Sequence, residues 1–123
     1  LNGCANTGNV QFASENDVVA HVGGIAGSVI ASPMTANVNV GSVTNKSTNE
    51  ASSVGAILGT QTKTSIKLTL TGIDAALAVP ITSCGIGGSV NGVKLDTSNF
   101  GQYIYGKWES HEPRLTDNFY QNY

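Results

Sequence analysis

The chain has 123 residues, enough for one domain with a modest core, and only 11% of them are charged. Glycine, serine, threonine and asparagine are abundant, and the formal net charge is −2. Nucleic-acid binders carry a basic face, whereas the six Lys and Arg here are scattered, so a nucleic-acid partner is excluded. No apolar run approaches the roughly 18 residues of a membrane helix, so no transmembrane segment is expected.

In chain order, the first element is Cys4-Ala-Asn-Thr-Gly8-Asn9-Val10. It recurs as Asn37-Val-Asn-Val-Gly41-Ser42-Val43 and as Cys84-Gly-Ile-Gly-Gly88-Ser89-Val90. A second motif, Val22-Gly-Gly-Ile-Ala-Gly27, returns as Val54-Gly-Ala-Ile-Leu-Gly59. Self-similarity of this kind marks a repeat architecture in which each repeat buries its apolar face against its neighbours. Gly8 to Gly41 is 41 − 8 = 33 residues, and Gly41 to Gly88 is 88 − 41 = 47. The second interval reads as the same turn with an insertion across residues 61–80, which maps to a loop on one face.

Between the motifs, residues 13–17, 44–50 and 72–74 are polar, Asn/Ser/Asp-bearing turns. Residues 35–43 and 65–71 alternate apolar and polar and predict half-buried strands. Residues 75–79 fit a helical turn or a buried strand equally. Val93 to Leu95 reads as a last strand. Residues 96–105 predict a short helix with Asp96 or Thr97 as N-cap. Cys4 and Cys84 share a repeat position two strand spacings apart, roughly 9.5 Å. That is too far for a disulfide, so both are expected as buried free thiols.

The pairing of Cys-x-Asn-Thr-Gly-Asn-Val with Val-Gly-Gly-Ile-Ala-Gly resembles the GLUG-type repeats of bacterial secreted and surface proteins, including those of gut Bacteroidetes. Those repeats carry an N-x-G-x-V segment followed by V-G-G-I-x-G. The resemblance covers residues 4–27 and 37–60, with Ala56 in place of Gly24, and only the first half of the motif at 84–90. The following Tyr-Ile-Tyr-Gly run looks like a closing unit. The resemblance implies a β-solenoid outside the cytoplasm and supplies no catalytic residues.

Chemistry-bearing patterns are sparse. Gly85-Ile-Gly-Gly-Ser-Val lacks the third glycine of a dinucleotide loop, since Val90 stands there, and no P-loop is present. Glu15 and Asp17 share a turn, but a glycosidase needs two carboxyls flanking a bond at a set separation. A polysaccharide lyase of the β-helix kind needs an acidic calcium site, and the eight acids do not cluster into one. Glu109, His111 and Glu112 lie too close in sequence to make a metal site without a second cluster. No cofactor, metal or catalytic residue is expected. The Thr-x-Thr runs at 60–64 and 69–71 resemble ice-binding ladders but occupy one interval only, and read as Thr-rich strand.

Seven of the eight aromatics fall after residue 99. Large aromatics either cover the last coil of a solenoid or stack on sugars and partners. The cap reading is assigned to Phe100, Tyr103, Tyr105 and Trp108. The ligand- or partner-binding candidates are Tyr103, Tyr105, Trp108, Phe119 and Tyr120. Residues 117–123 are expected to be disordered or to pair as an edge strand.

The expected fold is all-β: a short right-handed parallel β-helix of about three coils over residues 1–92, with a C-terminal aromatic cap and tail over 93–123. A β-sandwich with weak internal repeats is the alternative. The start of the motif at Cys4, with no basic-then-apolar leader before it, suggests a piece of a longer exported protein whose upstream domains cover the first coil. The expected function is a non-enzymatic extracellular or cell-surface structural or adhesion module. The alternative is a carbohydrate-binding module using the C-terminal aromatics, and after that a lyase-like enzyme. A glycan or a surface protein is the expected partner.

Overall fold

In the computed structural model, residues 1–29, 33–61, 80–108 and 112–121 are described. The predicted strand at 65–71, the turn at 72–74, the 75–79 segment and most of the insertion lie outside them, as do Glu109, His111 and Tyr123. The protein is all-β, built from short strands laid down in four passes of the chain.

The first pass carries β1 (Ala5–Asn6), β2 (Val10–Phe12), β3 (His21–Gly23) and β4 (Ala26–Val29). The second carries β5 (Met34–Thr35), β6 (Val38–Asn39), β7 (Ser42–Asn45), β8 (Ser53–Gly55) and β9 (Leu58–Gln61). The third carries β10 (Pro80–Thr82), β11 (Gly85–Ile86), β12 (Ser89–Val90), β13 (Val93–Lys94) and β14 (Tyr105–Trp108). The fourth carries β15 (Arg114–Thr116) and β16 (Phe119–Tyr120). Strands from successive passes pair in parallel, in the orders β1-β6-β11-β16, β15-β10-β5, β12-β7-β2, β14-β9-β4 and β3-β8. Among the described residues only β13 runs antiparallel, against β12.

The motif spacings reappear as the register. Ala5 pairs with Val38 and Val38 with Gly85; Val10 pairs with Val43 and Val43 with Val90. The second motif also stacks, with Val22 on Val54. Its third copy is Gly101-Gln-Tyr-Ile-Tyr-Gly106, which the sequence reading saw only as a closing run. The N–H groups of Ile25 and Ala26 both reach the Ile57 carbonyl, and those of Ile57 and Leu58 both reach the Ile104 carbonyl.

A left-handed residue precedes each Cys/Asn position. These are Gly3 (φ 72), Ala36 (φ 54), Ser83 (φ 54) and Asp117 (φ 55). The first three donate their N–H to the carbonyls of Thr35, Thr82 and Thr116 of the next pass. This turn breaks the predicted 35–43 strand into β5, β6 and β7. A positive φ aims the chain away from the extended direction, so a single continuous strand cannot pass through Ala36.

The next residue closes the turn. Asn37 Oδ1 accepts from the Cys4 N–H at 2.9 Å while its Nδ2 donates to the Leu1 carbonyl. Asn118 repeats both bonds to Cys84 and Ile81. Between them the Cys84 thiol reaches the carbonyls of Met34 and Thr82. Asn37 and Asn118 thus hold the adjoining pass through their amides, and Cys84 through its thiol's contact with the Met34 carbonyl.

Glycine is required where two passes touch through their backbones. A Cβ on Gly41 would lie 1.9 Å from the Gly8 carbonyl oxygen, and one on Gly59 2.5 Å from that of Gly27.

The core runs through the second and third passes: Met34, Ile57, Leu58, Ile81, Cys84, Ile86, Val90, Leu95 and Ile104. Three expectations are corrected. Cys4 is exposed rather than buried, with the second pass against one side of it, while Cys84 is buried; both thiols are free, as expected. The predicted 96–105 helix is a turn ending in a single 3-10 turn, Phe100–Gln102, and the chain then enters β14. Pairing of Tyr105 with Leu58 outcompetes so short a helix. The N-cap of that turn is Asn99, not Asp96 or Thr97, and it has no side-chain capping bond; Asp96 instead closes the preceding turn, accepting from the N–H groups of Ser98 and Asn99 and the Ser98 hydroxyl. Those bonds hold its carboxyl below the usual range. Finally, Val93–Lys94 is a strand but not the last, and Phe119–Tyr120 is the edge strand left open for the tail.

Candidate functional site

The register of the third motif copy places the aromatics. Tyr105 packs against the core, and its hydroxyl donates to Glu112 Oε1 at 2.7 Å. Burial, then that hydrogen bond and the nearby carboxylate charge, push its phenol up to about 12. Phe100, Tyr103 and Tyr120 pack on the same cluster, with the Phe100 and Tyr120 ring centroids 6.4 Å apart and tilted by 52°. Trp108 and Phe119 stay outside it, 46% and 43% exposed. The Phe119 ring lies over Gly85, whose added Cβ would stand 2.9 Å from it. Trp108 pairs with Gln61 on β9, in a different sheet. Of the five candidates, Tyr103, Tyr105 and Tyr120 pack against the core cluster, and Trp108 and Phe119 do not. Of the residues read as a cap, Phe100, Tyr103 and Tyr105 are partly buried against the core cluster, and Trp108 is not among the residues packed on it.

A second region, absent from the sequence reading, forms where the chain turns between β7 and β8. Asn45 Nδ2 donates to the carbonyls of Ala20 and Ser53, and its Oδ1 accepts from the Ser47 N–H. The Ser47 hydroxyl donates to the Val18 carbonyl, and the Ser52 hydroxyl lies within hydrogen-bond distance of both Ser47 Oγ and the Val18 carbonyl. Ser53 Oγ lies 2.7 Å from His21 Nδ1, which fixes the half-buried His21. Side-chain bonds to a non-regular backbone are what Asn and Ser do best in turns.

A cleft of about 270 Å³ opens between this corner, Asn91 and β14. Its far wall exists because Asn91 (φ 48) and Gly92 (φ 80) form the two-residue turn between β12 and β13. An Asn-Gly pair with both residues left-handed is the hairpin signal that the sequence carried and the motif reading passed over. Nothing local in the sequence points to Lys107, which joins the cleft only through the parallel pairing of β14 with β9.

The remaining charges are dispersed. Glu15 and Asp17 are exposed, and Asp17 shares a shallow depression with Thr48, Asn49 and Glu50. Among the described residues no group of three His, Cys, Asp or Glu is placed to hold a metal ion. Burial, opposed by hydrogen bonds from Asn37 and nearby backbone, pushes the Cys84 thiol up, as suits a structural cysteine. No helix among the described residues is long and apolar enough to cross a membrane. No family model, curated protein or solved structure matches the chain.

Proposed function

We propose that this chain is a short β-solenoid of the GLUG type, wound right-handed, serving as a non-enzymatic structural or adhesion module at a bacterial cell surface. The observation that carries the reading is the use to which the polar side chains are put. Asn37, Asn118, Asn39 and Asn45 spend their amides on neighbouring passes or their own turns. Asn6 Nδ2 reaches Asn39 Oδ1 at 2.8 Å, extending one such row inside the stack. Groups committed in this way build a stiff rod rather than a reaction centre. Parallel strands joined by long crossovers are right-handed in nearly all proteins, which supports the hand. A surface with few charges and many Thr, Ser and Asn suits exported repeat proteins, an association of composition rather than of mechanism.

A paired assay tests this. Beads coated with the intact chain are compared, for retention on glycan- and protein-coated surfaces, with beads carrying the unfolded chain. In parallel, acidic polysaccharides are incubated with the protein and followed for unsaturated, ultraviolet-absorbing product. Retention without product supports the module. Product that scales with protein concentration would sink it in favour of a lyase.

Carbohydrate binding is the second reading, and the exposure of Trp108 favours it. Trp108 is the single tryptophan, so its fluorescence reports directly on any polysaccharide that stacks there.

A further inference from the structure

The cleft beside β14 has a one-sided hydrogen-bonding character. Asn49 Oδ1 accepts from the Ala51 N–H at 2.8 Å, and Asn91 Oδ1 accepts from the Asn45 N–H at 2.7 Å. These bonds decide which end of each amide is oxygen, because a backbone N–H can only donate. Both NH2 ends therefore face away from their turns, and neither has a partner among the described residues. Lys107 lines the same cleft, and its ammonium donates to the Glu50 carbonyl, leaving two further N–H donors. Asn45, which also lines the cleft, has both amide N–H groups committed and its Oδ1 accepting from Ser47. What the cleft still offers a ligand is donors: two amides and a cation.

We infer that this cleft binds the carboxylate of a uronic-acid-type sugar, held by Lys107 and the side-chain amides of Asn49 and Asn91. An ionised carboxylate only accepts hydrogen bonds, which matches the free donors, and its bond to Lys107 is charge-assisted. Asp17 and Glu50 line a separate depression that shares Asn49, and among the described residues Lys107 is the charged side chain lining the cleft itself. A sugar fits better than a peptide side chain. The walls are amides and hydroxyls, with Val54 as the one large apolar residue. The volume lies just under the roughly 300–1,000 Å³ of drug-sized pockets, so one ring of a longer glycan is the unit expected. A solenoid with an empty cleft would still be a structural module, so this inference stands or falls apart from that reading.

The test is a backbone-amide NMR titration of the intact chain with glucuronate, glucose and N-acetylglutamate in turn. Glucuronate is expected to shift resonances at Asn49, Asn91 and Lys107 and to bind roughly tenfold or more tighter than glucose, the scale of one hydrogen bond to a charged group. The double variant Asn49→Asp, Asn91→Asp keeps both turn caps, since a carboxylate accepts from the same N–H groups, and Asp tolerates the left-handed position. It replaces two donors by acceptors and is expected to lose glucuronate binding by at least that factor. Lys107→Met keeps the side-chain stem and decides the matter if the double variant does not fold. The inference is overturned if glucuronate shifts none of these residues, or if the variants bind it as the parent does. Equal binding of glucose overturns the carboxylate, and equal binding of N-acetylglutamate overturns the sugar.

Discussion

Leu1, Cys4, Asn6 and Val10 occupy the same rows as Ile81, Cys84, Ile86 and Val90, two passes further along. The third-pass residues are essentially inaccessible, whereas Leu1 is 51% exposed, Cys4 is exposed, and Asn6 and Val10 are half-buried. The backbone turn is the same in both places, so the difference is one of neighbours. The third pass has the second on one side and, on the other, β15, β16 and its own folded-back strand β13. Among the described residues, the first pass pairs with the second on one side only. A repeat of this kind is thus half a core, completed by whatever lies next to it.

The largest test of that comparison is at its glycines. Gly41→Ala drives a methyl into the Gly8 carbonyl and is expected to cost more than about 4 kcal/mol or to abolish folding, read by chemical denaturation. Gly8→Ala places its methyl no nearer than 3.7 Å to Asn6 Oδ1 and is expected to change stability by less than about 0.5 kcal/mol. Equal effects would mean that the two passes are not stacked as described.

Next in size is the row through Leu1 and Ile81. Ile81→Ala is expected to cost about 2–5 kcal/mol, and Leu1→Ala a small fraction of that, since Ile81 is fully buried. The thiols sharpen the same contrast without any substitution. In the native protein a thiol reagent is expected to modify Cys4 rapidly and Cys84 only at the rate of unfolding. Rapid native labelling of Cys84 would remove the distinction between the two ends.

A smaller effect belongs to the left-handed turns. Ala36→Gly relieves a backbone conformation that costs an L-residue about 1 kcal/mol, and is expected to raise the melting temperature slightly. The smallest is confined to high pH. The phenol of Tyr105 is raised in the folded state, so the stability it contributes is complete below the ordinary tyrosine range near 10. It is lost as pH rises from there through about 12. Tyr105→Phe is expected to flatten that alkaline decline; an unchanged profile would remove Glu112 and burial as its cause.

Much of this was legible in the sequence because strand register and repeat spacing are the same quantity. Offsets of 33 and 47 residues between motif glycines reappear as Val10 on Val43 on Val90. The alternation of Cys and Asn was legible as a position but not as a mechanism, since the bond from Asn37 to the Cys4 N–H joins residues on separate passes. The short helix over 96–105 was misread because its local pattern fits a cap and a turn of helix. Pairing with β9 supplied backbone bonds that an isolated helical turn cannot match. The binding cleft was hidden for the same reason: Asn49, Asn91 and Lys107 come from three separate stretches of chain and meet only after the passes stack.

The sequence by itself determined the all-β class, the places where backbones touch and the rows in which residues stand. Those follow from periodicity and from glycine, which act on the chain locally and at fixed intervals. Only the tertiary structure decided which copy of a motif is buried, where the aromatics divide between core and surface, and which polar groups are left free. Burial and hydrogen-bond satisfaction belong to pairs of passes, and one copy of a repeat carries no record of whether another lies against it.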